Sequence, residues 1–406
     1  CDEEPWMSFE RPYEGLRVVD LSQGVAGPYC AMLLARQGAD VVKVEPREGD
    51  WSRSLGPRYG DHTAYSVAAN VGKRSLVVDL KRAEGKAIVD RLAQTADVFL
   101  EGFRPGVMDR LGFGYDRLRA ANPRLIYVSV SGFGQIGPLR DKPAMDAILQ
   151  AFTGFMSENS GPDGIPHRTP TVLIDMSTAL YAQQAVATAL YARALGMTKD
   201  GACGRRINVS LLEAAANLQS IRMMSAYREG TYKAGAAPGG TYRTRDGWIQ
   251  VGVVKNHEFQ GLCKVLGLDE IARDPRFATN PDRLQHAAYL IGKVAEVLAT
   301  KPGAAWREIL TRAGLQNECL QTYREFVDHP HTQAIGLIGW TRQHGSDEPW
   351  ATPNPPGVPP LDTGSLHASA PRRGEHTREI LHQLGFEPDE IGRLEFDGVV
   401  DVARDA

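Results

Sequence analysis

The chain has 406 residues, 42% hydrophobic and 23% charged, a length and composition that suit a soluble globular protein of two or three packed units. Its formal net charge of -3 provides no bulk field for nucleic acid or an anionic membrane, so an anionic ligand would have to be held by a local cluster. Five cysteines (Cys1, Cys30, Cys203, Cys263, Cys319) are odd in number and lack CxxC spacing, which argues against a disulfide framework or a zinc site and points to a reducing, cytoplasmic setting without a bound metal.

Residues 1–14 read as a leader, trimmed or non-native ahead of Met7-Ser8 and without a signal-like apolar run. From there to residue 135 the pattern alternates. Short β-branched apolar runs at 17–21, 39–45, 75–80, 97–101 and 125–131 predict strands, and amphipathic periodicity at 28–37 and 83–94 predicts helices between them. Strands interleaved with helices imply an α/β fold, a Rossmann-like, doubly wound parallel sheet with ligands beyond the carboxyl ends of its strands. The first strand-to-helix turn, Ser22-Gln23-Gly24-Val25-Ala26-Gly27-Pro28, lacks G-x-G-x-x-G spacing, so a dinucleotide is disfavoured. Its glycines serve a tight structural turn or a close approach to ligand equally well.

Two helical stretches are expected between 145 and 195, around a strand Thr171-Val172-Leu173-Ile174 that Asp175 closes before the helix 176–195. Asp is a preferred helix N-cap, so Asp175 has a purely structural reading beside that of a carboxylate nucleophile at a positive helix end. Residues 176–192 lack charge, but Ser177, Thr178, Gln183, Gln184 and Thr188, and a length short of the roughly 20 residues of a span, make this a buried helix with no membrane role. A turn at 200–204 leads to a further helix over 206–222. The run Gly235-Ala236-Ala237-Pro238-Gly239-Gly240 marks a boundary between a large domain (15–235, first part) and a smaller α+β domain (236–335). The small domain is expected to hold a strand at 247–254 and helices at 258–266, 284–298 and 304–313. Residues 336–406 return to the large domain through a proline-dense linker, 348–361, and a helix at 374–384.

Six segments then agree: Gly24-Val25-Ala26-Gly27-Pro28, Asp40-Val41-Val42-Lys43-Val44-Glu45-Pro46, Lys73-Arg74-Ser75-Leu76, the run from Phe103-Arg104-Pro105-Gly106 to Arg110-Leu111-Gly112, Ser131-Gly132-Phe133-Gly134, and Arg372-Arg373-Gly374-Glu375-His376-Thr377. Together they resemble the family III CoA-transferases (CaiB/BaiF type), a group that includes formyl-CoA and carnitine CoA-transferases and α-methylacyl-CoA racemases. The resemblance spans roughly residues 15–400. It implies an interlocked homodimer, an acyl-CoA thioester and a small carboxylate as substrates, and no tightly bound cofactor.

It also implies roles for residues. Asp175 matches the aspartate that attacks the thioester. Gly239 and Gly240 match the glycine loop that shields or stabilises the intermediates, although Ala236, Ala237 and Pro238 depart from a four-glycine run. Val25, Ala26, Lys73, Arg74, Phe103, Arg104 and Arg110 fall on CoA-binding positions, where a cation cluster would meet the phosphates; each cation read alone is a solvated surface residue. Gln23 and Met145 fall where substrate contacts are expected, and Val25 replaces the glutamine of formyl-CoA transferases. Racemases of the group place a His before the Asp that is Asp146 here; Met145 accepts no proton, which favours transfer over racemisation. His62, His167, His257 and His376 lie in no matching motif. A non-catalytic CoA-binding protein on the same fold is the remaining alternative.

Overall fold

In the computed structural model, which describes residues 11–160, 164–197, 203–230 and 235–403, the β-branched runs form strands covered on both faces. Most of the expected leader, with Cys1, and Asp200, Gly201 and Ala202 of the expected turn lie outside these residues. Six strands come first in the chain: β1 (Arg17–Asp20), β2 (Asp40–Glu45), β3 (Arg74–Val78), β4 (Val98–Glu101), β5 (Ile126–Ser131) and β6 (Arg205–Ser210). Six more follow: β7 (Gly240–Arg243), β8 (Trp248–Gly252), β9 (Gln316–Cys319), β10 (Ile338–Thr341), β11 (Trp350–Pro353) and β12 (Val400–Asp401). The helices that matter below are α1 (Ala26–Arg36), α2 (Ala83–Thr95), α3 (Asp146–Phe152), α4 (Leu173–Ala194), α5 (Leu211–Leu218), α6 (Ser220–Glu229), α7 (Asn256–Leu266), α8 (Ala287–Leu298), α9 (Gly303–Arg312) and α10 (Thr377–Gln383).

The described residues divide into two compact units, one before residue 224 together with 334 onward, the other 224–333. In the first, seven strands order as β12-β3-β2-β1-β4-β5-β6, parallel except for β12. Order 3-2-1-4-5-6 is that of a doubly wound sheet, whose direction reverses between β1 and β4. Consecutive strand residues divide between its faces. Val18, Val41, Val98 and Val128 pack with Cys30, Ala31 and Leu34 of α1 and with Ile174, Ala179, Ala182 and Val186 of α4. Val19, Val42, Phe99 and Tyr127 face the other way, onto Ile88, Val89 and Leu92 of α2 and Ile380 and Leu381 of α10.

Three expectations are corrected. Thr171 to Ile174 is no strand: the helix already begins at Leu173, the segment has no strand neighbour among the described residues, and of its apolar residues Ile174 is buried, in the cluster that holds α1. Residues 206–222 are not one helix, because Arg205–Ser210 pairs with β5 as an edge strand; Ser210 and Glu213 then form a capping box that turns the chain into α5. The 348–361 stretch is not all linker, since β11 within it pairs antiparallel with β10.

The second unit carries the antiparallel sheet β7-β8-β9, and Tyr242, Ile249 and Val251 pack with Phe259 and Leu262 of α7, Leu290 and Val294 of α8 and Trp306 and Leu310 of α9. β8, α7, α8 and α9 fall where one strand and three helices were expected; β7 and β9 were not expected.

Candidate active site

At the β1/β4 reversal two loops meet. Gly24 has φ +84° and donates its N–H to Asp50 Oδ1 at 2.9 Å, and a Cβ there would overlap the Trp51 ring. Gly27, in the first turn of α1, presses on Ser22 and Leu100 with no room for a methyl group. Glycine serves both purposes: a positive-φ turn and a close approach that brings α1 against the ends of β1 and β4. Val25 and Ala26 are buried at the start of α1, Gln23 is half-buried just before them, and Gly102 from β4 abuts Ser22. Phe103 and Arg104 follow Gly102, so four of the expected CoA-binding positions converge at the reversal, where doubly wound sheets bind ligands.

The expected basic cluster separates into two pairs. Arg104 and Arg110 are exposed, and neither side chain makes a hydrogen bond or ion pair with another described residue. Lys73 is corrected: it is buried, and its three ammonium protons go to Asp20 Oδ2 (2.8 Å), the Pro28 carbonyl (2.7 Å) and Asn70 Oδ1 (3.0 Å), leaving none for a phosphate. Burial pulls that ammonium down to about 8 against the opposing field of Asp20. Arg74 is corrected too. Its guanidinium is held bidentately by Asp40, at 2.9 and 2.6 Å, and by Glu379 and Gln383, which ties β2 and β3 to α10. Both cations are engaged within the fold.

Lys73 belongs to a buried polar network that composition does not reveal. Asp20 also faces Lys43, Lys43 pairs with Asp50 at 2.8 Å, and Glu45 takes Arg53 bidentately at 2.8 and 2.7 Å. Its one sequence signal is the placing of Lys43 and Glu45 inside an otherwise apolar strand. Glu101, the last residue of β4, is a second missed group. Burial raises its carboxyl to about 7, above a small polar cleft lined by Arg104, Asp109, Tyr127, Ser129 and Arg206.

Asp175 lies in the first turn of α4 as its third residue, three past the cap position. The cap position is Val172, which offers no side-chain acceptor. Asp146, the first residue of α3, supplies the cap instead: its Oδ2 accepts the N–H of Ile174 at 2.7 Å and of Asp175 at 3.1 Å. Its Oδ1 accepts from Gln150 Nε2 at 2.6 Å, and Gln150 also brackets Thr169, accepting its N–H at 2.9 Å and donating to its carbonyl at 3.3 Å. The Asp175 carboxylate is half-buried and accepts no hydrogen bond from a described residue. Burial first, and the Asp146 charge second, push it up to about 7. The helix end favours the carboxylate, and desolvation here opposes it. Met145, just before α3, is 62% exposed.

In the second unit Gly239 and Gly240 lead directly into β7; neither adopts positive φ, and they follow the cis Ala237–Pro238 peptide. Tyr242 donates its hydroxyl proton to the Pro238 carbonyl, and Arg283 donates to that of Ala237 at 3.0 Å. The segment is anchored on its proline side. Among the described residues no His, Cys, Asp and Glu cluster could hold a metal ion, and no helix is long and apolar enough to cross a membrane.

A family model described as CoA-transferase family III matches residues 13–377. The acetyl-CoA:oxalate CoA-transferase of Acetobacter aceti is 38% identical over 336 residues, 80% of this chain and 85% of that protein. The succinate–glutarate CoA-transferase of Agrobacterium fabrum is 33% identical, covering 92% and 96%. The crystal structure of a CaiB/BaiF family protein from Brucella suis superposes with a TM-score of 0.80 at 29% identity, over 93% of this chain and 100% of that one.

Proposed function

The chain belongs to CoA-transferase family III and is a CoA-transferase, and from that premise we propose that it moves CoA from an acyl-CoA to a small carboxylic or dicarboxylic acid through Asp175 as covalent nucleophile. The observation that carries this reading is the displaced cap. Because Asp146 satisfies the N-terminus of α4, the structural account of Asp175 as a helix cap no longer applies, and a half-buried carboxyl without a hydrogen-bond partner is left over. A carboxyl raised to about 7 is partly ionised at neutral pH, and its anion is poorly solvated and more basic than an ordinary aspartate, which favours attack on a thioester.

The bonds exchange as follows. The Asp175 carboxylate adds to the thioester carbonyl and the C–S bond breaks, giving a mixed anhydride and CoA thiolate. The thiolate attacks the aspartyl carbonyl of the anhydride, releasing the donor acid and leaving an aspartyl-CoA thioester. The acceptor carboxylate attacks that thioester, expelling the thiolate again, which then takes the acceptor's acyl carbon and frees Asp175. Each tetrahedral oxyanion needs donors, a role assigned to the Gly239 and Gly240 backbone by resemblance. Val25, Ala26 and Phe103 would line the CoA path, and Arg104 and Arg110, the exposed pair of the four expected cations, would meet its phosphates. Gln23 and Met145 are the proposed substrate contacts. The relatives named for oxalate and glutarate favour a dicarboxylic acceptor.

The two-base racemase reading gains nothing: Met145 has no titrating group, and Asp146 is occupied by backbone donors. The protein is incubated with a panel of acyl-CoA thioesters and quenched with hydroxylamine or borohydride, and the peptides are read by mass spectrometry. A modification on the Asp175 peptide, absent from Asp175→Asn, is expected. No modification of that peptide across the panel would overturn covalent transfer.

A further inference from the structure

Outside the proposed nucleophile, the group whose placement asks most for an explanation is Asp146. It is buried, at 6% exposure, and each of its oxygens is assigned: Oδ2 to the amides of Ile174 and Asp175, Oδ1 to Gln150. Gln150 is fully buried one turn further along α3 and carries the same chain of bonds to Thr169. The i,i+4 pair Asp146 and Gln150 thus grips the turn on which Asp175 sits at both ends, from Thr169 to the Asp175 amide. A helix N-terminus is ordinarily capped by a residue just before it, and here Val172 cannot do so. The cap arrives from another helix, 29 residues away in sequence.

Resting on the reading of Asp175 as nucleophile, we propose that Asp146 is a positioning residue for CoA transfer: from α3 it caps the turn that carries Asp175, leaving the Asp175 carboxyl unengaged and aligned, and places a fixed like charge beside it. Three N–H groups donate to the Asp146 oxygens, and the Asp146 charge bears on Asp175. Among the described residues Asp146 is the charged group whose field bears on Asp175; Glu213, on the neighbouring helix α5, is engaged by Ser210. Neighbouring charge and burial together keep the carboxylate basic, and formation of the anhydride removes that charge pair, so the repulsion is relieved as the reaction proceeds.

The test reads kcat, KM and the pH dependence of kcat/KM in Asp146→Asn, in the intact protein. An amide in place of Asp146 keeps one acceptor for the backbone but turns an N–H toward Gln150 Nε2, so the grip loosens and the charge is lost. Expected are a kcat lower by roughly ten- to a hundredfold with KM for acyl-CoA little changed, and an acidic limb moved down by about one unit, since removal of a like charge lets Asp175 ionise at lower pH. The double variant Asp146→Asn with Gln150→Glu offers the amide an acceptor again and moves the charge one turn along α3. It serves where the single variant does not fold, and its limb is likewise expected below wild type. A folded variant with wild-type kcat and an unmoved limb overturns the proposal. Trapping of the Asp175 peptide in wild type keeps the two readings apart: its absence refutes the nucleophile, whereas its presence with an unmoved limb refutes only the role of Asp146.

Discussion

At the scale of single residues, Asp175 was legible in the sequence as an aspartate before a long apolar helix, but its environment was not. The feature that decides its chemistry is a pair of hydrogen bonds from a carboxylate 29 residues earlier, and no local pattern announces a cap supplied from another helix. Lys73 shows the same limit in reverse. Beside Arg74 it reads as half of a basic cluster, whereas a carboxylate 53 residues away has drawn it into the core. A stability consequence follows for Asp175. Its folded value is raised, so the contribution of its protonated form is complete below the ordinary carboxylate range and is lost as pH rises through about 7. Asp175→Asn should therefore melt several degrees above wild type near pH 8, with the gap closing toward pH 4. Thermal denaturation at the two pH values measures this. A gap of equal size at both would mean that the gain comes from packing and not from the charge.

At the scale of elements, the five early strands and the helices between them were readable because their periods, two against 3.6, differ so clearly. Three segments misled for identifiable reasons. β6 is an edge strand beginning with two arginines, the apolar run at Thr171 to Ile174 leads straight into a helix without any strand partner, and prolines around β11 hide a short hairpin. The loop after β1 was left open between a tight turn and a binding loop, and its geometry accommodates both. Gly27 makes the dependence measurable. An added methyl group would strike Ser22 and Leu100, pushing α1 away from the β1 and β4 ends, so Gly27→Ala should cost about 1–3 kcal/mol in urea denaturation. A neutral result would show that the contact between helix and sheet yields easily.

At the scale of the whole molecule, the resemblance to family III implied an interlocked dimer, and one surface supports that proposal. α6 has no buried residue, and along it Ile221 is 78% and Tyr227 95% exposed beside Met223 and Met224. Light scattering should give about twice the mass of one chain, and charged replacements at Ile221 and Tyr227 should shift it toward the monomer. A wild-type monomer would remove this part of the reading. The placement of β12 has another consequence. Val400 and Asp401 pair with Val78 and Val77, and Thr377 at the start of α10 accepts from the Val77 amide, so the sheet that begins at residue 17 gains its outer border only from residues far along the chain. On the ribosome β3 must wait as an open edge while more than three hundred further residues emerge, which makes nascent chains stalled before α10 the species most in need of a chaperone.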